Sequence, residues 1–256
     1  KKFRERMLAI YTLSLSVSLL IGPSIESFIL KNFSIRETFL FFELIVIVVP
    51  LLSFSLKFPE EKEENVKRDF LSIWRNNGFK VAFFNNLTYS LPFSLIVTFA
   101  GIYGMEFFNL NNSQAIMLYS AFFLTSFLSR LMLAVRPAKN IKIWMETSVL
   151  FTAIGLVFSF ISFNVYLYVI SLLILGIPHG FTYTLSVISL SRSFDKDTRN
   201  AANSYFFSIS TIIGSILPTI LGTVVDFAGI KYTFLLLLPG VIVIFLFVEY
   251  YSSKSI

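Results

Sequence analysis

The chain has no cysteine and a single histidine among its 256 residues. Without thiols it forms no disulfide, iron–sulfur cluster or thiolate metal site, and one imidazole excludes a histidine-rich metal centre. Charge is scarce too: 14% of the residues are Asp, Glu, Lys or Arg, against about 25% in an average soluble domain. No Walker loop, nucleophile elbow or set of convergent acid, base and nucleophile appears, so the sequence points to neither an enzyme nor a cofactor site. No cleavable signal-peptide pattern appears in the sequence either. The first apolar stretch runs to about twice the length of a signal-peptide core and has no small-residue cleavage site, which reads as a membrane span.

What fills the chain instead is apolar: 55% of the residues are hydrophobic and mean hydropathy is +0.76. Crossing roughly 30 Å of hydrocarbon takes about 20 helical residues. Stretches of that kind cover residues 7–30, 37–56, 81–105, 115–135, 143–161, 165–191, 201–225 and 232–247. The expectation is an all-α polytopic membrane protein of eight transmembrane helices, surrounded by the lipid bilayer of the cell membrane.

The basic residues orient these spans. Alternate connectors collect 17 of the 21 lysines and arginines on one side, leaving Lys31, Arg36 and Lys231 on the other and Arg130 inside a span. Because such an excess marks cytoplasmic loops, both termini are expected in the cytoplasm. The net charge of +6 is then an orientation signal, and no nucleic-acid partner is expected. The longest polar stretch, residues 57–80, separates two spans from six. It opens on a run of acids and a lysine, Glu60-Glu-Lys-Glu-Glu. Further on, Val66, Phe70, Ile73 and Trp74 recur at helical spacing among basic residues, as in an amphipathic helix lying at the cytoplasmic interface.

The sequence also pairs with itself. At a constant offset of 195, Pro23 falls on Pro218, Arg36-Glu-Thr-Phe-Leu on Lys231-Tyr-Thr-Phe-Leu, and Val46-Ile-Val on Val241-Ile-Val. Hydrophobic helices repeated at both ends of a chain are the mark of a transporter built from duplicated bundles. Together with the central linker, the repeat resembles the major facilitator superfamily, lacking the first four helices of its twelve. The resemblance divides the chain into the last two helices of an N-terminal bundle (1–56), a cytoplasmic linker (57–80) and a complete C-terminal six-helix bundle (81–256). The chain opens at Lys1 rather than at an initiator methionine, which fits a piece of a longer product.

Local motifs carry the same resemblance. The stretch Arg4-Glu-Arg-Met-Leu-Ala-Ile-Tyr looks like the basic loop before the family's fifth helix. Ser18-Leu-Leu-Ile-Gly-Pro-Ser-Ile-Glu-Ser resembles the antiporter motif, keeping Gly22 and Pro23, with Ser18 and Ser27 as small substitutes and Glu26 as a departure; Gly214, Pro218 and Gly222 are the counterpart in the second copy. Small residues with proline suit close helix packing with a bend. The loop after Ser129-Arg keeps basic residues but lacks the family's acid.

Polar groups inside spans are expensive and mark candidate sites. His179, in Gly176-Ile-Pro-His-Gly where proline and glycine loosen the helix, heads a stripe with Thr182, Tyr183 and Ser186 on one helical face. The third span carries Asn85, Asn86 and Tyr89, and Asn86, Ser90, Ser94 and Thr98 recur every fourth residue. The resemblance implies that these two spans line a central cavity, so Asn85, Asn86, Tyr89, His179 and Tyr183 are candidate contacts for a small-molecule solute. Protons are the candidate coupling ion, with Glu26, Glu43 and His179 as carriers. Arg130 and Glu146, near the same ends of neighbouring spans, are expected to form an ion pair. The function these features imply is secondary active transport by alternating access. The alternative is a non-transporting scaffold or a truncated remnant of a transporter.

The orientation is directly testable, because the chain is already cysteine-free. A membrane-impermeant thiol reagent added outside cells should label Lys31→Cys and Lys231→Cys and leave Lys139→Cys and Arg192→Cys untouched; the reverse pattern would invert the topology.

Overall fold

The computed structural model describes residues 2–55 and 69–254, without the side chains of residues 2–5, 9, 44 and 45. Helices account for nearly all of it: α1 (Lys2–Ile29), α2 (Ile35–Ser53), α3 (Phe70–Arg75), α4 (Asn77–Phe108), α5 (Asn112–Val135), α6 (Ile141–Ile161), α7 (Val165–Ser193), α8 (Lys196–Ala228) and α9 (Ile230–Ser252). Among the described residues there is no strand. In lipid every backbone polar group must find a partner within the protein, and helices meet that demand within a single segment.

Short polar residues set where the helices begin. Ser34 and Asn111 form capping boxes with Glu37 and Gln114, while Asp69, Asn76, Asn140 and Asn164 each accept first-turn backbone N–H groups. These side chains satisfy donors that the first helical turn leaves without carbonyl partners. Asn109, left-handed at φ 53°, ends α4, and Gly229, at φ 80°, turns the chain from α8 into α9.

Seven of these helices are long and apolar enough to cross a membrane: residues 6–29 of α1, and α4 to α9. The helix expected as the second span forms, but over 19 residues that include Arg36, Glu37 and Glu43, so it is shorter and more charged than the stretch 37–56 suggested. Apart from Thr38, which is buried, its described side chains are half-buried or exposed, among them Phe39, Val46 and Leu52.

The bundle is assembled around α7. On one side α7 packs against α5, on another against α6, and on a third against α4; α9 lies along α4, α8 leans on α4, and α1 runs along α5. Glycine sets the closest of these approaches. A Cβ at Gly176 would run into the Phe122 carbonyl of α5, and one at Gly180 into the Ser126 carbonyl, so the Gly176/Gly180 pair lets two backbones meet in the manner of small-xxx-small seams. These glycines therefore pack the helix rather than loosen it. Pro178 between them cannot supply the backbone N–H of a regular turn. Nearby carbonyls of α7 are bonded from outside: Thr125 Oγ1 donates to Leu173 O at 2.7 Å, and the Tyr89 hydroxyl donates to Leu175 O.

The glycines of the antiporter-like motif behave differently. Nothing among the described residues lies within 4 Å of a Cβ placed on Gly22 or Gly214, and Gly222 meets only Phe99, at 3.9 Å. Close packing of α1 comes from hydroxyls instead. Ser24 bonds Ser120 at 3.0 Å, Ser27 bonds Ser113 at 2.9 Å, and Thr12 bonds Thr184 of α7 at 3.1 Å. Pro23 is half-buried, with no role in that zipper.

Two further expectations change. Glu146 does not meet Arg130: it lies 3.8 Å from Lys142, which also bonds Glu249 at 2.7 Å, because one helical turn brings Lys142 to Glu146 on the same face of α6. Of the pattern expected for an interfacial helix, Val66 lies outside the described residues, and Phe70, Ile73 and Trp74 lie on α3. On α3, Ile73 is buried and Trp74 packs edge-on against Phe79 and Phe83 of α4, while Phe70 meets Tyr205 of α8. Its apolar side thus docks on the end of the bundle instead of resting on lipid alone.

The glycine seam gives a clear expectation. Gly180→Leu should lower the thermal midpoint of the detergent-solubilised protein sharply, since overpacking a filled interface costs about 1–3 kcal/mol or more. Gly22→Ala should leave it nearly unchanged.

Candidate functional site: a polar cavity between α4, α7 and α8

A cavity of about 440 Å³ opens between α4, α7 and α8, with Arg130 of α5 at its wall. Three polar stripes converge on it. From α4 come Asn86, Ser90, Ser94 and Thr98, with Tyr89, Phe93 and Val97 beside them; from α7, His179, Thr182 and Tyr183; from α8, Phe207, Ser210, Thr211, Gly214 and Pro218. The spacing of four along α4 explains its stripe, since such residues stack on one helical face.

Of the solute-contact candidates, the structure brings Asn86, Tyr89, His179 and Tyr183 to this one space. Asn85 is absent from it. Fully buried, Asn85 donates through Nδ2 to Thr182 O at 3.0 Å and to Ser186 Oγ at 2.8 Å. It is a tie between α4 and α7, since the next residue along a helix is rotated by about 100°. Asn86, one step on, donates to Ser210 Oγ at 3.2 Å across the cavity wall. Of the carriers considered for protons, only His179 lines the cavity. Glu26 is half-buried on α1 and Glu43 exposed on α2. Gly214 and Pro218, expected only to pack helices, belong to the lining, whereas Gly22, Pro23 and Gly222 do not.

His179 sits in an aromatic box. Its ring stacks on Phe93, centroids 4.3 Å apart and 21° from parallel, with Phe122 at 5.2 Å, Phe123 at 5.7 Å and Tyr89 at 5.8 Å. Its Nε2 lies 3.4 Å from Nη2 of Arg130. The guanidinium carries only donors, so the imidazole accepts at Nε2. The other terminal nitrogen of Arg130 donates to the Thr12 carbonyl at 3.3 Å and to the Ser16 hydroxyl. One side chain of α5 thereby joins α1 to α7.

The sequence reading passed over several members of this site. Arg130 was expected to pair with Glu146, and Phe93 and Phe207 carry no signal that sets them apart from the other phenylalanines of the chain. Ser210 and Thr211 escaped because α8 was read for glycine and proline alone; with Gly214 they form the same kind of small polar stripe as the one on α4. Among the described residues no group of three or more His, Asp or Glu side chains gathers to hold a metal. Hydroxyls, an amide, an imidazole and one fixed cation around an aromatic wall are equipment for binding a solute rather than for making or breaking bonds.

The contrast between the two asparagines can be checked. Asn85→Ala should cost roughly 0.5–2 kcal/mol of stability, the scale of interhelical hydrogen bonds in membranes, and leave solute binding to the folded fraction unchanged.

Comparison with known proteins bears on this arrangement. The crystal structure of a major facilitator superfamily transporter, FucP, in the outward conformation superposes with a TM-score of 0.67 at 19% identity, over 96% of this chain and 68% of that one. A substituted form of the E. coli fucose:proton symporter FucP gives 0.62 at 17% identity, over 87% of this chain and 60% of that one. The chain thus spans about two thirds of the length of these transporters, and the likeness shows the shared fold. No curated protein matches the sequence. The Major Facilitator Superfamily matches residues 1–162 and, in a second alignment, residues 108–254. These are transporters and not enzymes, and on a match that extends along almost the whole sequence the chain belongs to the Major Facilitator Superfamily.

Proposed function

We propose that the chain provides the C-terminal bundle and the last two N-terminal-bundle helices of a secondary active transporter, which moves a small solute across the cell membrane by alternating access. The observation that carries this reading is the convergence of three polar stripes on one cavity at mid-depth in the bundle, where transporters of this kind bind their solutes. Eight spans with both termini in the cytoplasm, α2 included, complete the proposal. In support of counting α2, its exposed apolar side chains suit a lipid or helix neighbour.

Proton coupling belongs to the same proposal, with His179 as the carrier. Support comes from its place in the cavity wall and from its contact with Arg130. A proton taken up at Nε2 removes the lone pair that accepts from the guanidinium. Uptake would part the two cations and alter the wall on which a solute rests, which is how a proton and a solute become linked through one site. The fold shared with a fucose:proton symporter is consistent with such coupling. Glu26 and Glu43, away from the cavity, are weaker carriers.

Reconstituted vesicles distinguish the parts of this reading. Asn86→Ala should weaken solute uptake roughly 3- to 10-fold, the equivalent of one neutral hydrogen bond, with insertion unchanged. His179→Gln should abolish accumulation driven by a proton gradient while solute exchange at equal concentrations persists. Unaltered transport in both variants would remove the cavity from the pathway, and no transport by the unsubstituted protein would favour a scaffold.

A further inference from the structure

Arg130 is the one charged residue in the cavity lining, which contains no aspartate or glutamate. It is only 4% exposed, and a buried charge persists when it is paired and hydrogen-bonded. Yet among the described residues every hydrogen-bond partner of Arg130 is neutral: the Thr12 carbonyl, the Ser16 hydroxyl and His179 Nε2. The ion pairs among the described residues join Lys142 to Glu146 and to Glu249, at another place in the bundle. The hydrogen bonds of the guanidinium are also unevenly spread. Nη1 is occupied on both sides, whereas among the described residues Nε has no partner and Nη2 has only the long 3.4 Å contact. Nε and Nη2 share the edge of the fork that meets a carboxylate side-on with two parallel bonds. In the same wall the Ser94 hydroxyl is buried without a partner.

We propose that the solute of this cavity is a small organic monocarboxylate, whose carboxylate Arg130 binds through its Nε and Nη2 edge while its body lies against Phe93, Tyr89 and Phe207. One cation without an acid calls for one anionic group. The aromatic and aliphatic wall, in which hydroxyls supply the remaining polarity, calls for an organic body and disfavours a bare inorganic anion. The carboxylate would displace the long contact to His179, so that anion binding and the protonation state of the imidazole act on the same nitrogen pair. This rests on the transport reading and narrows it, and it separates this chain from a neutral-sugar carrier.

The test is calorimetric titration of the chain in lipid nanodiscs with benzoate and 3-phenylpropionate, each against its neutral amide, and with L-fucose. Each acid should bind roughly 10-fold or more tightly than its amide, as expected of a charge-assisted bidentate contact. Arg130→Gln should bring that ratio close to one and Arg130→Lys should restore part of it. Should Arg130→Gln fail to fold, the acid-to-amide ratio of the unsubstituted chain decides alone. Equal binding of acid and amide, or binding of fucose without the acids, overturns the carboxylate assignment and leaves the transport reading intact. If none of these compounds binds, the carboxylate assignment falls, and the transport reading falls with it only when vesicles also show no solute exchange.

Discussion

The seam between α5 and α7 is the constraint from which the site follows. Lipid offers no hydrophobic reward for bringing two apolar helices together, so association depends on close van der Waals contact and on hydrogen bonds between helices. Gly176 and Gly180 allow that contact on one face of α7, where α5 carbonyls occupy the space a Cβ would need. Fixing that face fixes the others. Thr182 and Ser186 then meet Asn85 of α4, and His179, Thr182 and Tyr183 line the space left between α4, α7 and α8.

Within that frame the polar inventory divides into groups already committed and groups still available. Asn85, Thr12, Thr184, Ser148 and Tyr89 are engaged in bonds between helices, and they hold the bundle in register. In the cavity wall, the Ser94 hydroxyl and the Nε of Arg130 are buried without a partner among the described residues. A buried donor left unpaired is costly, and in the cavity wall these two groups are the ones that the proposed solute would pair. Residue type does not reveal which polar groups face the cavity: Asn85 bonds Thr182 and Ser186 of α7 away from it, whereas the adjacent Asn86 lines it while bonding Ser210 of α8.

Arg130 also ties three helices together. Its contacts with Thr12 and Ser16 connect α1 to α5 and α7. The offset of 195 pairs Ser16 with Thr211; Ser16 accepts from the guanidinium of Arg130, and Thr211 lines the cavity that Arg130 also lines. A change of charge at Arg130 would therefore be felt on α1 as well as on α7.

Much of this was legible in the sequence because membrane constraints act on runs of residues. Long apolar stretches, a basic bias in alternate loops, a repeat at constant offset and polar residues every fourth position depend on local chemistry, and they indicated the helical class, the family and the stripe of Asn86, Ser90, Ser94 and Thr98. Tertiary structure alone decided what depends on how each helix is rotated and what stands opposite. Asn85 turned to α7 and Asn86 to the cavity, a difference of one residue in a 3.6-residue turn. Arg130 met His179 rather than Glu146, and the tight glycines proved to be Gly176 and Gly180 rather than Gly22 and Gly214. Sequence periodicity gives the faces of a helix, whereas the partner of each face is set by packing between segments far apart in the chain.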